Sequence, residues 1–167
     1  VRPETIAKFL FTSGSTKAPK AVINTHRMLC SNQQMFAQCF PFLMESPPVL
    51  VDWLPWHHTF GGNHNLGLTL YHGGTLYIDD GKPTPQGAAE TIRNLKEIAP
   101  TMYYTVPRGL EELVLALESD PGLCETFFSR LQLLYPAGAA LSAAVRAAFN
   151  QIAVRTCGER IPMSMGL

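Results

Sequence analysis

The chain has 167 residues, and its 13 basic and 13 acidic side chains give a formal net charge of zero. Without a basic run, this composition gives no support for a nucleic acid or an anionic membrane as a partner, and no apolar run approaches the roughly 20 residues of a membrane-spanning helix. The four cysteines form no C-x-x-C pair, which favours reduced thiols in a cytoplasmic protein of about one domain.

The first half of the chain alternates apolar segments with polar turns. Thr25 or Asn24 can cap a helix that Pro41 ends, since their side-chain oxygens accept backbone N–H groups. The acidic pair Asp79-Asp80 reads as a solvated turn. The predicted elements are a buried strand over 7–12, a strand over 21–24, a helix over 25–40, a strand over 49–53, a helix over 61–71 with its leucines partly buried, and a strand over 75–78.

The second half continues the alternation, with clear helix starts. Thr84, Asp120 and Ser142 each stand where an N-cap is expected, and the first two are followed by proline. The predicted elements are helices over 85–99 and 143–157, and strands over 102–105, 131–135 and 161–165. A further helix opens at Val106-Pro107 and carries Leu110, Leu113, Val114 and Leu117, and a short helix starts at Asp120-Pro121. Strands that alternate with helices predict an α/β fold with a largely parallel sheet and flanking helices, in which ligands bind beyond the carboxyl ends of the strands.

A hydroxyl-rich loop, Thr12-Ser13-Gly14-Ser15-Thr16-Lys17-Ala18-Pro19-Lys20, follows the first strand. Hydroxyl and backbone N–H groups can donate to phosphate oxygens, and a lysine adds positive charge. Gly14 has no Cβ, so the backbone can turn sharply and approach a ligand closely. The loop has no Gly-Lys pair and is therefore not a Walker A motif. An ordinary polar loop is the alternative interpretation.

Three of the five histidines lie in the stretch from Leu54 to His64. A metal site there would need a carboxylate or thiolate at ligand spacing, and none is present, so we predict no metal ligands. Histidines that meet solvent or cap a strand end are the simpler interpretation. For Phe60, plain core packing is the alternative to a binding role.

The order Thr-Ser-Gly-Ser-Thr, Pro-Lys and an apolar strand resembles the signature of the acyl-adenylate-forming superfamily, which includes acyl-CoA synthetases and non-ribosomal peptide adenylation domains. Lys17 and Ala21 stand where that family commonly has glycine, which implies a stiffer loop. The resemblance implies that the ATP phosphates are contacted by Thr12, Ser13, Gly14, Ser15, Thr16 and Lys20.

Two later segments match the same family in order. Leu54, Pro55 and His58 are similar to its Leu-Pro-x-x-His stretch, which precedes a helix that walls the acyl pocket. The resemblance implies that His58, Phe60 and His64 line this pocket, and such side chains suit a flat aryl substrate. The segment after the 131–135 strand is similar to one whose backbone lies against adenine, which implies adenine contacts at Gly138, Ala139 and Ala140.

Within the superfamily, residues 21–30, 52–56 and 73–85 look closest to feruloyl-CoA synthases. The resemblance implies an enzyme that activates a hydroxycinnamate-like carboxylate such as ferulate with ATP and Mg²⁺ and passes the acyl group to coenzyme A. Its partners would be the aromatic carboxylate, ATP and CoA. A module that loads a carrier protein is one alternative, and a non-catalytic interaction domain that retains the fold is another.

Several parts of the family's site have no counterpart in this sequence: the Thr-Glu pair with its magnesium carboxylate, the ribose-binding aspartate and the C-terminal domain with the adenylation lysine. We therefore predict no catalytic residue here. That lysine places positive charge where charge develops during adenylation. We expect the 167 residues to be a single α/β fragment of an adenylation domain that is inactive alone.

Overall fold

The computed structural model describes residues 1–12 and 19–166. Its strands and helices alternate through most of the chain, and four of the six strands pair in parallel, which confirms the predicted α/β fold with flanking helices. A 3₁₀ turn at Pro41–Met44 and a π-helical turn at Phe60–Asn65 complete the set. The elements are β1 (Ile6–Thr12), β2 (Lys20–Thr25), α1 (His26–Cys39), β3 (Val49–Asp52), α2 (Leu66–Tyr71), β4 (Thr75–Ile78), α3 (Pro85–Glu97), β5 (Met102–Thr105), α4 (Pro107–Ser119), α5 (Pro121–Phe128), β6 (Leu133–Pro136) and α6 (Ala143–Cys157).

The chain divides into two compact units. The first unit comprises Val1–Pro48 and Leu54–Gly74, and the second comprises Val49–Trp53 and the chain from Thr75 onward. An antiparallel hairpin of β1 and β2, with α1, the π-helical turn and α2, makes up the first unit. The parallel pairs β3–β4 and β5–β6 with helices α3 to α6 make up the second.

The hairpin of the first unit is more exposed than the sequence predicts. Phe9 lies opposite Ile23 and Phe11 opposite Ala21 across the two strands. Phe9 is 52% exposed and Phe11 68% exposed, so the prediction of a buried strand over 7–12 is wrong. The reason is that each strand pairs only with the other among the described residues, which leaves these aromatic rings uncovered.

The helical part of the first unit begins at a side-chain cap. Met28 N donates to Thr25 Oγ1 at 3.3 Å. Of the two predicted caps, Thr25 and Asn24, the N-cap of α1 is therefore Thr25. The segment predicted as one helix over 61–71 is instead a π-helical turn followed by α2. Leu68 of α2 is fully buried but Leu70 is 75% exposed, so the prediction of a partly buried Leu70 is wrong.

The parallel strands of the second unit are joined by backbone hydrogen bonds. Thr101 N donates to Val49 O at 3.0 Å, which connects the start of β5 to β3. Beyond β6, the predicted strand over 161–165 is reduced to two isolated parallel bridges, Leu134 with Met163 and Ala137 with Gly166. Pro162 lies inside this segment and has no N–H to donate to a ladder.

Phe127 lies at the centre of the core of the second unit. Its ring centroid is 5.4 Å from that of Tyr103, 5.1 Å from that of Phe128 and 6.4 Å from that of Phe149, each pair edge to face. This is the arrangement that aromatic quadrupoles favour. The surrounding helices start where the sequence predicts, because the side chains of the predicted caps accept backbone N–H groups at Gly87, Leu123 and Val145.

Asp79 follows β4 and is 5% exposed, so the prediction of a solvated acidic pair is wrong for this residue. Its Oδ1 accepts from Gly81 N at 3.1 Å and from Asn94 Nδ2 at 3.0 Å, and its Oδ2 accepts from Thr91 Oγ1. A Cβ at position 81 would lie 1.9 Å from Thr91 Oγ1. Asp79 therefore fixes the chain between β4 and α3, and Gly81 leaves room for it.

Replacing Asp79 with alanine is expected to lower the free energy of unfolding by about 2–4 kcal/mol, because three donors lose their acceptor in a buried position. Asp80→Ala is the matched control, since Asp80 is the exposed neighbour, and it should change stability by less than about 0.5 kcal/mol. Urea denaturation of both variants measures the difference. Equal effects at the two positions would contradict a structural role for Asp79.

Candidate active site

The predicted phosphate loop connects the two strands of the hairpin. Thr12 ends β1 and lies directly opposite Lys20, the first residue of β2, and Thr12 Oγ1 donates to Lys20 O at 3.4 Å. Both residues are exposed. The structure therefore brings together the two ends of the loop. The predicted contacts Ser13, Gly14, Ser15 and Thr16 lie outside the described residues, as does Lys17.

The His58 segment depends on two adjacent glycines. A Cβ at Gly61 would lie 2.6 Å from Leu54 O, and a Cβ at Gly62 would lie 2.0 Å from Trp56 O. Only glycine therefore lets the π-helical turn pack this closely against the preceding backbone. Gly62 N donates to His58 O at 2.9 Å, and His58 Nδ1 accepts from Phe60 N at 3.2 Å.

Of the three residues predicted for the acyl pocket, Phe60 and His64 lie in the π-helical turn and His58 lies just before it. Phe60 and His64 stack with ring centroids 6.1 Å apart and an interplanar angle of 11°. Phe36 of α1 lies on the imidazole as well, with its centroid 4.4 Å from that of His64. His58 is exposed, whereas Phe60 and His64 are half-buried. The rings of Phe36, His64 and Phe60 therefore lie next to one another, and we call these three rings the ring column.

Burial controls the charge of His64. Removal of the imidazole from water lowers the pKa of His64 from 6.5 to about 4, because the charged form is disfavoured in an apolar environment. His64 is therefore neutral at pH 7. A neutral imidazole can contact another ring without bringing an uncompensated charge into the column.

The predicted adenine segment begins at Gly138, two residues after the end of β6 in the second unit. Gly138 has a φ of 89°, a conformation that favours glycine, and its N donates to Gly166 O at 3.3 Å. Gly138, Ala139 and Ala140 are all exposed, so a short stretch of backbone with small side chains faces solvent. A flat heterocycle can approach a backbone of this kind closely. The adenine contacts themselves stay a prediction.

The structure assembles these residues in separate groups. Thr12 with Lys20, and His58 with Phe60 and His64, belong to the first unit, and Gly138 begins a segment of the second unit. The expectation that all three segments meet at one crevice stays a prediction. Within residues 1–12 and 19–166, no three His, Cys, Asp or Glu side chains are placed to hold a metal ion. No helix in the same ranges has the length and apolar character needed to cross a membrane.

The polar groups that hold α1 against the π-helical turn were not predicted from the sequence. Gln33 is 2% exposed, and its Nε2 donates to Asn63 O at 3.2 Å and to His64 O at 3.4 Å. Asn63 Nδ2 in turn donates to Asn24 Oδ1 at 2.8 Å. The spacing of the sequence does indicate that Gln33 is buried. Gln33 stands one turn after Leu29 and one turn before Ala37, in the stripe of α1 that faces the interior.

Comparison with known proteins identifies the family. The model of the AMP-binding enzyme family matches residues 1–161. A peroxisomal long-chain acyl-CoA synthetase of Arabidopsis thaliana is 26% identical over 174 residues, which cover 99% of this chain and 24% of the relative. The benzoate–CoA ligase of Thauera aromatica is 26% identical over 140 residues, which cover 84% of this chain and 25% of the relative. The chain thus spans about a quarter of the length of these relatives.

The fold has a counterpart among solved structures. A ternary product complex of a malonyl-CoA ligase with methylmalonyl-CoA and AMP superposes with a TM-score of 0.77 at 24% identity, over 99% of this chain and 34% of the other. At this identity the likeness concerns the fold alone. This likeness in fold agrees with the family match over residues 1–161. The chain belongs to the AMP-binding enzyme family.

Proposed function

We propose that the chain is part of an ATP-dependent acid–thiol ligase. The enzyme would activate a hydroxycinnamate-like carboxylate such as ferulate and transfer its acyl group to coenzyme A. The observation that carries the aromatic assignment is the stack of Phe60 on a neutral His64. Family membership supports the adenylating chemistry. The 167 residues supply parts of the phosphate, adenine and acyl sites of the longer parent enzyme.

The proposed reaction has two steps. A carboxylate oxygen of the substrate attacks the α-phosphorus of ATP, and the bond to pyrophosphate breaks, which leaves an acyl-AMP. The thiol of CoA then gives up its proton and attacks the acyl carbon, and AMP leaves with the electron pair of the acyl–oxygen bond. Neither step requires a nucleophile from the described residues, and their contribution is to bind and orient the reactants.

The hairpin would present the ATP-binding loop. Thr12 and Lys20 hold its two ends side by side. Hydroxyl and N–H groups of the loop would donate to the β- and γ-phosphates. Ala21 lies within β2, paired with Phe11, so this departure from the usual glycine falls in the strand and outside the connection. Lys17 is therefore the departure that bears on the ATP-binding loop.

The acyl pocket would use the ring column for an aryl group. A phenyl ring that stacks on Phe60 or His64 gains roughly 0.5–1.5 kcal/mol beyond its burial. The neutral imidazole can donate or accept a hydrogen bond, which suits a ring that carries a hydroxyl or methoxy substituent. The charged carboxylate of the substrate would point away from the rings, towards ATP.

Magnesium would accompany ATP and neutralise charge on its phosphates. Among the described residues, no group of three His, Cys, Asp or Glu side chains is placed to hold an ion. We place the parent in the cytoplasm. The cysteines support this location, because Cys30, Cys39, Cys124 and Cys157 are all free thiols.

The acyl pocket is tested in the full-length parent enzyme with ferulate as substrate. We expect Phe60→Ala and His64→Leu each to lower kcat/KM for ferulate about 3–10-fold, which corresponds to the loss of one aromatic contact. His57→Ala is the matched control because His57 is an exposed neighbour of His58. The assay follows pyrophosphate release. An unchanged kcat/KM in both pocket variants would remove these residues from the acyl site.

The acceptor is tested with the same parent enzyme. We expect feruloyl-CoA to form when ferulate, MgATP and CoA are supplied, and no acyl transfer to the phosphopantetheinyl arm of a carrier protein. Liquid chromatography of the thioester products distinguishes the two acceptors. Transfer to a carrier protein in place of CoA would establish the loading module. Absence of any stabilisation by MgATP in a thermal melt would instead support a non-catalytic domain.

The 167-residue chain alone is expected to release no pyrophosphate from ferulate and MgATP above the rate without protein. The physical reason is that no described cation is assigned to the α-phosphate, where negative charge develops during adenylation. A coupled pyrophosphate assay at high protein concentration measures this. Sustained release that depends on ferulate would refute the expectation.

The neutral state of His64 predicts a pH dependence of stability. Between pH 6.5 and about 4 the unfolded chain binds a proton at His64 that the folded chain does not, so the free energy of unfolding falls as the pH is lowered through this window. Between pH 7 and pH 4.5 the contribution of His64 to this fall is about 2 kcal/mol. His64→Phe should reduce the fall by that amount. Urea denaturation of both proteins at pH 7 and pH 4.5 measures the difference.

A further inference from the structure

The outer face of helix α6 borders a groove in the second unit. The inner face of this helix carries Phe149, Ile152 and Ala153, which are buried in the core. The groove on the opposite face has a volume of about 600 Å³ and extends from Ala143 to Arg160, just beyond the end of the helix. None of the residues proposed for the phosphate, adenine or acyl sites lines it. The groove is therefore a separate surface of the protein.

The groove is positively charged. Among the described residues, its lining includes Arg146, Arg155 and Arg160 and no acidic side chain. All three arginines are exposed, and none forms a salt bridge in the part of the chain that the structure describes. Helix α6 contains no Asp or Glu, whereas Arg93 of α3 and Arg108 of α4 each pair with a glutamate of their own helix.

The acidic residues closest to the groove leave this charge uncompensated. Glu159 is exposed and precedes Arg160 in the chain, and Glu118 and Glu125 share a neighbouring cleft with Arg155. Within residues 1–12 and 19–166, none of these three glutamates forms a salt bridge. The guanidinium groups of the groove are therefore available to carboxylates from outside the chain.

The spacing of the residues along the groove suits a second α-helix. The lining includes Ala143, Ala147, Asn150 and Val154, which follow one another at the four- and three-residue intervals that keep one side of a helix towards a neighbouring helix. This row extends for about 17 Å at 1.5 Å per residue. The alanines allow another backbone to approach closely. Val154 is 45% exposed, so its apolar surface is still in contact with water.

The arginines lie on both sides of this row and at both of its ends. Arg146 and Arg155 are half a helical rotation apart around α6, and about 13 Å apart along its axis. Arg146 Nη2 donates to Met165 Sδ at 3.4 Å, so its other N–H groups remain for a carboxylate. A small anion would occupy one end of the groove only. Carboxylates two to three turns apart on a helix would match the separation of the arginines.

We propose that this groove docks an acidic amphipathic α-helix of a partner protein. The apolar side of that helix would cover the row that ends at Val154. Its carboxylates would pair with Arg146 at one end of the groove and with Arg155 and Arg160 at the other. Charge complementarity supports the acidic character of the partner, and the spacing of the row supports its helical conformation. Docking is independent of the proposed ligase reaction, because the partner helix takes no part in acyl transfer.

The proposal is tested by the binding of designed peptides to the 167-residue chain. The probe is a fluorescein-labelled peptide of three Glu-Leu-Ala-Ala-Leu-Glu-Glu repeats, a length at which a helix can form in water. A second peptide has glutamine in place of every glutamate. A third has the composition of the probe in an order that scatters the leucines around the helix. Fluorescence anisotropy measures the dissociation constant of each.

We expect the acidic amphipathic peptide to bind with a roughly micromolar dissociation constant, and each control peptide to bind about tenfold more weakly or less. The glutamine peptide lacks the charges, and the scattered peptide lacks the apolar side. Binding of the probe should weaken as NaCl is added, because salt screens exposed charges. Equal binding of the probe and either control would overturn the proposal, and so would the absence of binding by all three peptides.

Reversal of charge in the groove identifies the surface that binds. We expect Arg146→Glu and Arg155→Glu each to weaken binding of the acidic peptide about 3–10-fold, because an ion pair is lost and a repulsion is added. The double variant should prefer the peptide in which lysine replaces every glutamate. Arg130→Glu is the matched control, because Arg130 is exposed and lies outside the groove. A double variant that still prefers the acidic peptide would contradict the proposal.

Three further results would assign the groove to a different occupant and overturn the proposal. Inorganic tripolyphosphate that competes at the concentration of the peptide would indicate a site for a small polyanion. A dimer of the chain that Val154→Asp dissociates, as measured by light scattering, would indicate a second copy. Loss of peptide binding in the full-length parent enzyme would indicate that another part of the parent covers α6.

Discussion

The absence of a side chain at two adjacent positions is the constraint on which the first unit depends. Gly61 and Gly62 bring the π-helical turn so close to the carbonyls of Leu54 and Trp56 that even a methyl group would overlap them. This contact fixes the backbone from Leu54 to Asn65. Phe60 and His64 of this backbone stack on one another, and the carbonyls of Asn63 and His64 accept from Gln33 Nε2. A longer helix with ordinary side chains at 61 and 62 would not bring these groups together.

The second unit depends on local interactions that a sequence reveals. Three of its helices begin after Thr84, Asp120 and Ser142, where a side-chain oxygen accepts the N–H three residues later. The determinants of each start lie within four residues, so the pattern predicted these helices closely. The family match was predictable for a similar reason. The loop, the His58 stretch and the Gly138 segment are short and contiguous, so their order can be recognised without knowledge of the packing.

Features that depend on residues distant in the chain could not be predicted. An apolar run such as residues 7–12 reads as buried, yet whether Phe11 is covered depends on which elements pack on the hairpin. Asp79 reads as a solvated turn residue, but Thr91 and Asn94 of α3 approach its carboxylate from more than ten positions away. The π-helical turn likewise follows from backbone contacts with residues 54–56. In each case local propensity was compatible with two outcomes, and tertiary packing selected one.

Helix α1 supports the π-helical turn of the first unit at two points. Phe36 contacts the imidazole of His64, and one turn earlier Gln33 donates to the carbonyls of Asn63 and His64. The same helix therefore holds both the ring of His64 and the backbone that carries it. Loss of the Gln33 amide would loosen that backbone even where the contact between Phe36 and the imidazole is kept.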